Sequence, residues 1–444
     1  MPKKKKIVPG LAAGFRDYLP EEMISRQRMI DIIRASFERY GFLPLDTPGI
    51  ERLEILTGGD KDFKKQIFTT SKARGDDVLA LRFDLTVPLA RVIAQYPGIR
   101  KPFKRYHIGK SWRGEKPQVG RLREFMQCDV DIVGSSSMMA DAEVISLGYE
   151  TLRALGVRNF MVRVNNRKIL GALPKIAKFP EKKIGDVLRV IDKLDKIGAN
   201  KVKEELGSET KLSKEQIAVV LSVIETKITP EESIEKAFGR YAPFLKEGIE
   251  ELKQLSAHCA ALGMPKDAWM IDASIARGLG YYTGPIFEMT LDDLPGVGSV
   301  CSGGRYDGLV SKFGQASIPA VGISIGLDRL FAALTQLGII EKAPSISDAL
   351  FLNFDKESEV YIEEAAARLR SEGIKTEIYF GNEETIKGQL AYALHHEVPI
   401  VLLAGSDERG KGTIQVKNIA ARTQVEVDRS EVGNTIKKIL GREI

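Results

Sequence analysis

The sequence predicts an α+β chain in several regions, and three textures along its 444 residues carry that reading. From 14 to 172 helical and extended patterns mix, from 173 to 265 the pattern is almost purely helical, and beyond 346 strand and helix patterns alternate. At roughly 150 residues per domain the length suits about three domains. A chain with 43% hydrophobic and 28% charged residues is folded, not largely disordered.

The opening MPKKKKIVPG holds four lysines with no apolar segment behind them, so 1–13 reads as a solvated basic tail and not a secretory leader. SRQRMIDIIRASFERYGF has apolar residues at helical spacing and ends at Gly41, while FMVRVNN alternates as a strand does. Within 173–265, SKEQ at 213–216 and TPEE at 229–232 have the form of capping boxes, the second with Pro230 at the first helical position. Strand patterns resume with WMIDASIARGLGYYTGPIFEMTL, so the helical stretch reads as an insertion into a domain built from 14–172 and 266–340. EKAPSIS resembles a linker. Over 346–444, DALFLNF, VYIEEAAARLRSEG, KTEIYF, IKGQLAYALHHE and PIVLLAG alternate as in a small α/β domain with mainly parallel strands, followed by a hairpin and a last helix.

No apolar run approaches the ~20 residues of a membrane span. Cys128, Cys259 and Cys301 are odd in number and far apart, which suits a reduced, cytoplasmic chain. The four histidines, His107, His258, His395 and His396, lack the spacing that sets two ligands on one helix face, so no metal site built from side chains is expected.

Charge is concentrated. The net charge is +6, yet 100–123 holds nine Lys or Arg against the single acid Glu115, with Phe103, Tyr106 and Trp112 interleaved. Basic and aromatic residues in this mixture suit phosphates and stacked bases; the bland alternative is a solvated face. In WRGEKPQVGRLREF two extended flanks enclose a polar loop, and of Arg113, Arg121 and Arg123 at least two can face one side, as a triphosphate clamp needs. Phe125 is placed to stack on a base. AVGISIGLDRLFAAL passes from strand to helix and puts Arg329 in the first helical turn, where it meets either a phosphate or an acid such as Asp328. LRFDLTVPLA reads as a strand with Asp84 and Thr86 on one face, and QCDVD aligns Gln127, Asp129 and Asp131 in the same way. These groups either hold an amino acid's ammonium or neutralise nearby arginines. The glycine pair in CSGGRYDGL permits a tight turn or a close backbone approach, and RGLGYYTG at 277–284 sets an arginine and two tyrosines before a strand.

Taken in order, these motifs resemble the histidyl-tRNA synthetases, a family of class II aminoacyl-tRNA synthetases. GFRDYLP with FLPLDTPGIE is similar to the family's start and first motif, FKRYHIGKSWRGEKPQVGRLREFMQCDVDIVG to the second, GISIGLDRL to the third, and RGLGYYTG and CSGGRYDGL to the histidine-specific signatures. The resemblance implies a catalytic domain on an antiparallel sheet, a helical insertion, a C-terminal anticodon-binding domain and a homodimer. It implies histidine, ATP with Mg2+, and histidine tRNA as the molecules handled. Arg113 and Arg277 then flank the α-phosphate, Arg329 meets the γ-phosphate end, Phe125 lies under adenine, and Glu115 and Arg121 complete the nucleotide site. Asp84, Thr86 and Gln127 hold the α-amino end of histidine, while Asp131, Tyr281 and Tyr282 face its ring. Lys116 and Gln118 meet the acceptor end of the tRNA; Lys116 stands where bacterial members often have arginine, and Gly280 where the family more often has aspartate. The alternative is a non-catalytic, histidine-sensing paralog similar to the regulatory subunit of ATP phosphoribosyltransferase.

Overall fold

The computed structural model describes residues 9–58, 66–70, 78–117, 120–276, 281–314 and 316–442. Its contacts group into one unit of Met1–Arg16 with Met29–Ile340, and a second of Asp17–Arg28 with Glu341–Ile444. The helix Pro20–Arg39 begins in the second unit, where the Ser25 hydroxyl donates to the Glu341 carbonyl at 2.6 Å.

In the first unit the strands are β1 (Leu43–Pro44), β2 (Ile50–Arg52), β3 (Thr69–Thr70), β4 (Leu79–Leu81), β5 (Phe103–Trp112), β6 (Glu124–Val133), β7 (Phe160–Asn166), β8 (Lys227–Ile228), β9 (Trp269–Asp272), β10 (Pro285–Leu291), β11 (Ser299–Arg305) and β12 (Ala320–Gly326). β2, β4 and β3 make a small sheet, and the other nine form one sheet in the order β1-β5-β6-β12-β11-β10-β7-β9-β8. Every pairing from β5 across to β7 is antiparallel. This is the antiparallel core the sequence leads one to expect.

Alternation along the strands gives the sheet two unlike faces. On β6, Cys128, Val130 and Ile132 belong to the main apolar core, while Gln127, Asp129 and Asp131 point to the other side. The helix Met138–Ala154, capped by the Ser137 hydroxyl on the Met139 amide, covers the apolar face. Its approach is close enough that a Cβ on Gly148 would stand 2.6 Å from Met289 Cε and 2.7 Å from Ile323 Cδ1. With one face sealed by apolar packing, the polar groups are left to the opposite face.

The 173–265 stretch is mainly helical and includes Ile184–Ile191, Leu194–Thr210, Lys214–Ile224 and Lys246–Ala261. SKEQ is a true capping box: Ser213 accepts from the Gln216 amide and Gln216 from the Ser213 amide. TPEE makes the second of these bonds, from the Thr229 amide to Glu232 at 2.7 Å, without opening a helix there. The helix Ile234–Phe238 starts after Ser233, whose hydroxyl accepts from the Lys236 amide, because β8 has just paired with β9 and the chain must first turn out of the sheet.

The second unit carries β13 (Ala349–Phe351), β14 (Thr376–Ile378), β15 (Ile400–Leu403), β16 (Thr413–Asn418) and β17 (Thr423–Asp428), in the order β14-β13-β15-β16-β17. The first three are parallel and the last two add an antiparallel hairpin. The helices Glu359–Ser371 and Val432–Ile439 pack on this sheet through Ile362, Leu369 and Ile436.

Candidate active site

A cavity of about 820 Å3 opens on the polar face of the large sheet, within the range of small-molecule sites. Its wall takes in Asp84, Thr86, Arg113, Glu115, Lys116, Arg121, Phe125, Gln127, Asp131, Tyr281, Tyr282 and Arg329. The site residues expected from the sequence thus converge, apart from Arg277 and Gln118, which, like Gly280, lie outside the described residues.

Asp84 and Thr86 do not stand on a strand, as the alternation suggests. β4 ends at Leu81, and Thr86 is the first residue of the helix Thr86–Gln95. Asp84 Oδ1 accepts from the Val87 amide at 3.0 Å, and Pro88, having no N–H to lose, fits the first turn. Capping chemistry overrides alternation in this short stretch, yet both side chains still reach the cavity.

The acidic end is built on β6. Asp131 is fully buried between two partners that the sequence does not mark as site residues: Arg105, whose Nη2 lies 2.6 Å from Oδ2, and Tyr306, whose hydroxyl bonds to Oδ1. Arg105 comes from the neighbouring strand β5, directly across from Asp131, and also donates to the Leu85 carbonyl at 3.1 Å. On the other side Gly322 of β12 pairs with Asp131 and makes room for it, since a Cβ there would stand 2.0 Å from Oδ1. Two residues along β12 from Gly322, Ser324 Oγ accepts from Gln127 Nε2 at 2.8 Å and is also bonded to Asp129.

Burial raises all three carboxylic acids above their ordinary range. Asp84 is pushed up to about 6 and Asp129 to about 7, and Asp131 moves the same way; Arg105 works against burial at each. Burial also raises the hydroxyls of Tyr281, Tyr282 and Tyr306, which as phenols at neutral pH can donate hydrogen bonds. The three rings pack on one another, with centroids 5.0 Å apart for Tyr281 and Tyr282 and 5.7 Å for Tyr281 and Tyr306.

The basic end comes from the β5–β6 loop and from the helix Leu327–Gln336. Arg113 Nε donates to the Phe83 carbonyl at 3.1 Å, and its guanidinium carbon is 5.0 Å from the centre of the Phe125 ring. Arg123 takes no part in the wall: it donates to the Glu115 and Ala13 carbonyls and ties the loop to the preceding chain. Arg329 donates to the Ser299 carbonyl at 2.5 Å, and Asp328 accepts from the Met126 amide at 2.6 Å. The glycine pair of CSGGRYDGL lies within β11 and not in a turn; a Cβ on Gly303 would meet the Gly322 carbonyl at 2.1 Å, so close strand approach is its use. The insertion adds Leu188, Arg189 and Asp192 to the wall, a contribution invisible to motif reading because the helix Ile184–Ile191 reaches the site only through the tertiary fold.

An antiparallel sheet with arginines at one end of its polar face and a cluster of buried acids at the other is the architecture of a class II aminoacyl-tRNA synthetase. The family model described as histidyl-tRNA synthetase matches residues 14–330, and that of an anticodon binding domain matches residues 347–439. The chain belongs to the histidyl-tRNA synthetase family. It is 42% identical to the histidine–tRNA ligase of Wolinella succinogenes, over 94% of this chain and 96% of that one, and 41% identical to that of Clostridium tetani, over 98% and 99%. The crystal structure of histidyl-tRNA synthetase from Nostoc sp. PCC 7120 superposes with a TM-score of 0.84 at 32% identity, covering 98% of this chain and all of that one. A Bacillus halodurans structure described as an ATP phosphoribosyltransferase regulatory subunit/histidyl-tRNA synthetase reaches 0.74 at 22% identity over 90% of this chain, a likeness of fold alone.

Proposed function

We infer that the chain ligates L-histidine to histidine tRNA through a histidyl-adenylate. The observation that carries this reading is the polarity of the cavity, with buried acids and an amide at one end and guanidiniums beside an aromatic ring at the other. In the first step the histidine carboxylate oxygen forms a bond to the α-phosphorus of ATP, and the bond from that phosphorus to the β-phosphate oxygen breaks, releasing pyrophosphate. Two anions meet, so positive charge placed where charge develops is the main catalytic device. Arg113 is the described residue suited to that role, and Arg277 the second by family resemblance. Phe125 supports adenine while Glu115, Arg121 and Arg329 complete the nucleotide site. In the second step the terminal adenosine of the tRNA displaces AMP from the adenylate; Lys116, on the cavity wall, and Gln118 are the candidates for meeting that end.

Among the described residues no group of three or more His, Cys, Asp and Glu side chains converges as a metal site. Mg2+ bound together with ATP would supply charge neutralisation at the phosphates, and needs no cage of three or more protein ligands to do so. Exposed Leu43 and Ile50, in the stretch similar to the first class II motif, support a homodimer through that surface.

ATP–pyrophosphate exchange with each amino acid in turn tests the reading. Exchange is expected with histidine alone. Histidine binding without exchange would support the sensing paralog instead.

A further inference from the structure

Asp84 Oδ2, Gln127 Oε1 and Asp129 Oδ1, three acceptor atoms deep in the cavity, are among those with no hydrogen-bond partner among the described residues. All three residues are more than nine-tenths buried and line the same cavity. Buried acceptors left unmatched are costly, so a site that keeps three of them is shaped for a ligand carrying donors. Asp131 is differently placed: its Oδ1 accepts from the Tyr306 hydroxyl, and its Oδ2, though without a hydrogen bond, lies 2.6 Å from Arg105 Nη2 in an ion pair.

The charges agree with the geometry. Asp84, Asp129 and Asp131 share the buried cation Arg105, and Asp84 feels Arg113 more strongly still. Ionised together, the three acids leave the pocket short of positive charge. A primary ammonium has three N–H donors and one positive charge. It answers both deficits at once.

We propose that Asp129 is a histidine-binding residue of this chain, its free Oδ1 accepting one N–H of the substrate's α-ammonium while Asp84 and Gln127 accept the others. Family resemblance does not assign Asp129 a role; it enters because β6 aligns it with Gln127 and because Ser324 of β12 bonds to both side chains. The proposal rests on the cavity being a histidine site and adds to it the residue that selects for the amine.

Calorimetry on the full chain with three ligands isolates the contact: L-histidine, histidinol, which keeps the ammonium, and imidazolepropionate, which keeps the ring and carboxylate but has no amine. A charge-assisted hydrogen bond is worth ten- to a hundredfold in Kd, on the order of the effect expected for histidine and histidinol in Asp129→Asn. Imidazolepropionate binding and the KM for ATP are expected to stay unchanged. Asp129→Ser, smaller and equally uncharged, is expected to repeat the pattern and guards against an idiosyncratic effect of the amide. Equal weakening of all three ligands, or of none, overturns the proposal. Histidine-dependent exchange by the unaltered chain reports separately on the underlying reading, whatever the variants do.

Discussion

Replacing Gly322 by alanine adds one methyl group where the strand has no space for it. The new Cβ would lie 2.0 Å from Asp131 Oδ1 and 2.7 Å from the Val130 carbonyl. The carbonyl belongs to the β6–β12 ladder and cannot retreat without breaking it, so the carboxylate must move by roughly an ångström to restore ordinary contact. That movement pulls Oδ1 from the Tyr306 hydroxyl and Oδ2 from Arg105, which is fully buried. Overpacking costs about 1–3 kcal/mol, and disrupting a buried pair about 3–5 kcal/mol; the two overlap, so a loss of about 3–5 kcal/mol is expected. Gly326, on the same strand and also on the cavity wall, provides the matched control, because a Cβ there meets nothing within 4 Å. Thermal unfolding of both variants, alongside the KM for histidine in exchange, is the assay. For a unit of this size the drop in Tm should be about 4–7 °C for Gly322→Ala, with KM raised, and near zero for Gly326→Ala. Equal melting temperatures in the two variants would refute the packing of Asp131 between β12, Arg105 and Tyr306.

Phe125→Ala is expected to raise the KM for ATP about tenfold or more, as loss of a base-stacking platform does, while the KM for histidine holds steady in the same exchange assay. Arg305→Met strands the buried Asp141, which Arg305 pairs with between the Ser135 and Ser137 carbonyls, and should cost about 3–5 kcal/mol by denaturant unfolding; Arg305→Met with Asp141→Leu should recover part of it. Stability should also report the acids. Because the folded chain holds Asp129 at about 7, against 3.8 ordinarily, it binds a proton more tightly than the unfolded chain, so this group's contribution falls as pH rises from about 4 to 7. Asp129→Asn cannot ionise, and in the absence of ligand its Tm relative to the unaltered chain should climb from about pH 4 to about pH 7 and level off above. The groups facing Asp129, namely Arg105, Asp131, Asp84 and Ser324, are common to both proteins; a flat or falling difference would contradict the assignment. Arg277→Ala should slow histidine activation by orders of magnitude with an unchanged melting curve; full activity would remove it from the mechanism.

What the sequence determines by itself is whatever depends on spacing along one strand or one turn. Period-two alternation already places Gln127, Asp129 and Asp131 on one face, and SKEQ announces its capping box, because both are interactions within a few residues. The order of the motifs likewise assigns the family. Short-range reading goes wrong where two local preferences compete, as at Asp84, where a helix cap wins over a strand face. Only the tertiary structure decides which of many arginines and tyrosines are enclosed. Arg105 looks like one more charge in a basic run, and Tyr306 stands 175 residues from the aspartate it bonds. Arg123, equivalent in the sequence to Arg113 and Arg121, is spent on the chain's own carbonyls. Burial and partner choice across such distances are set by strand order in the sheet, and strand order is a property of the whole fold, not of any segment of it.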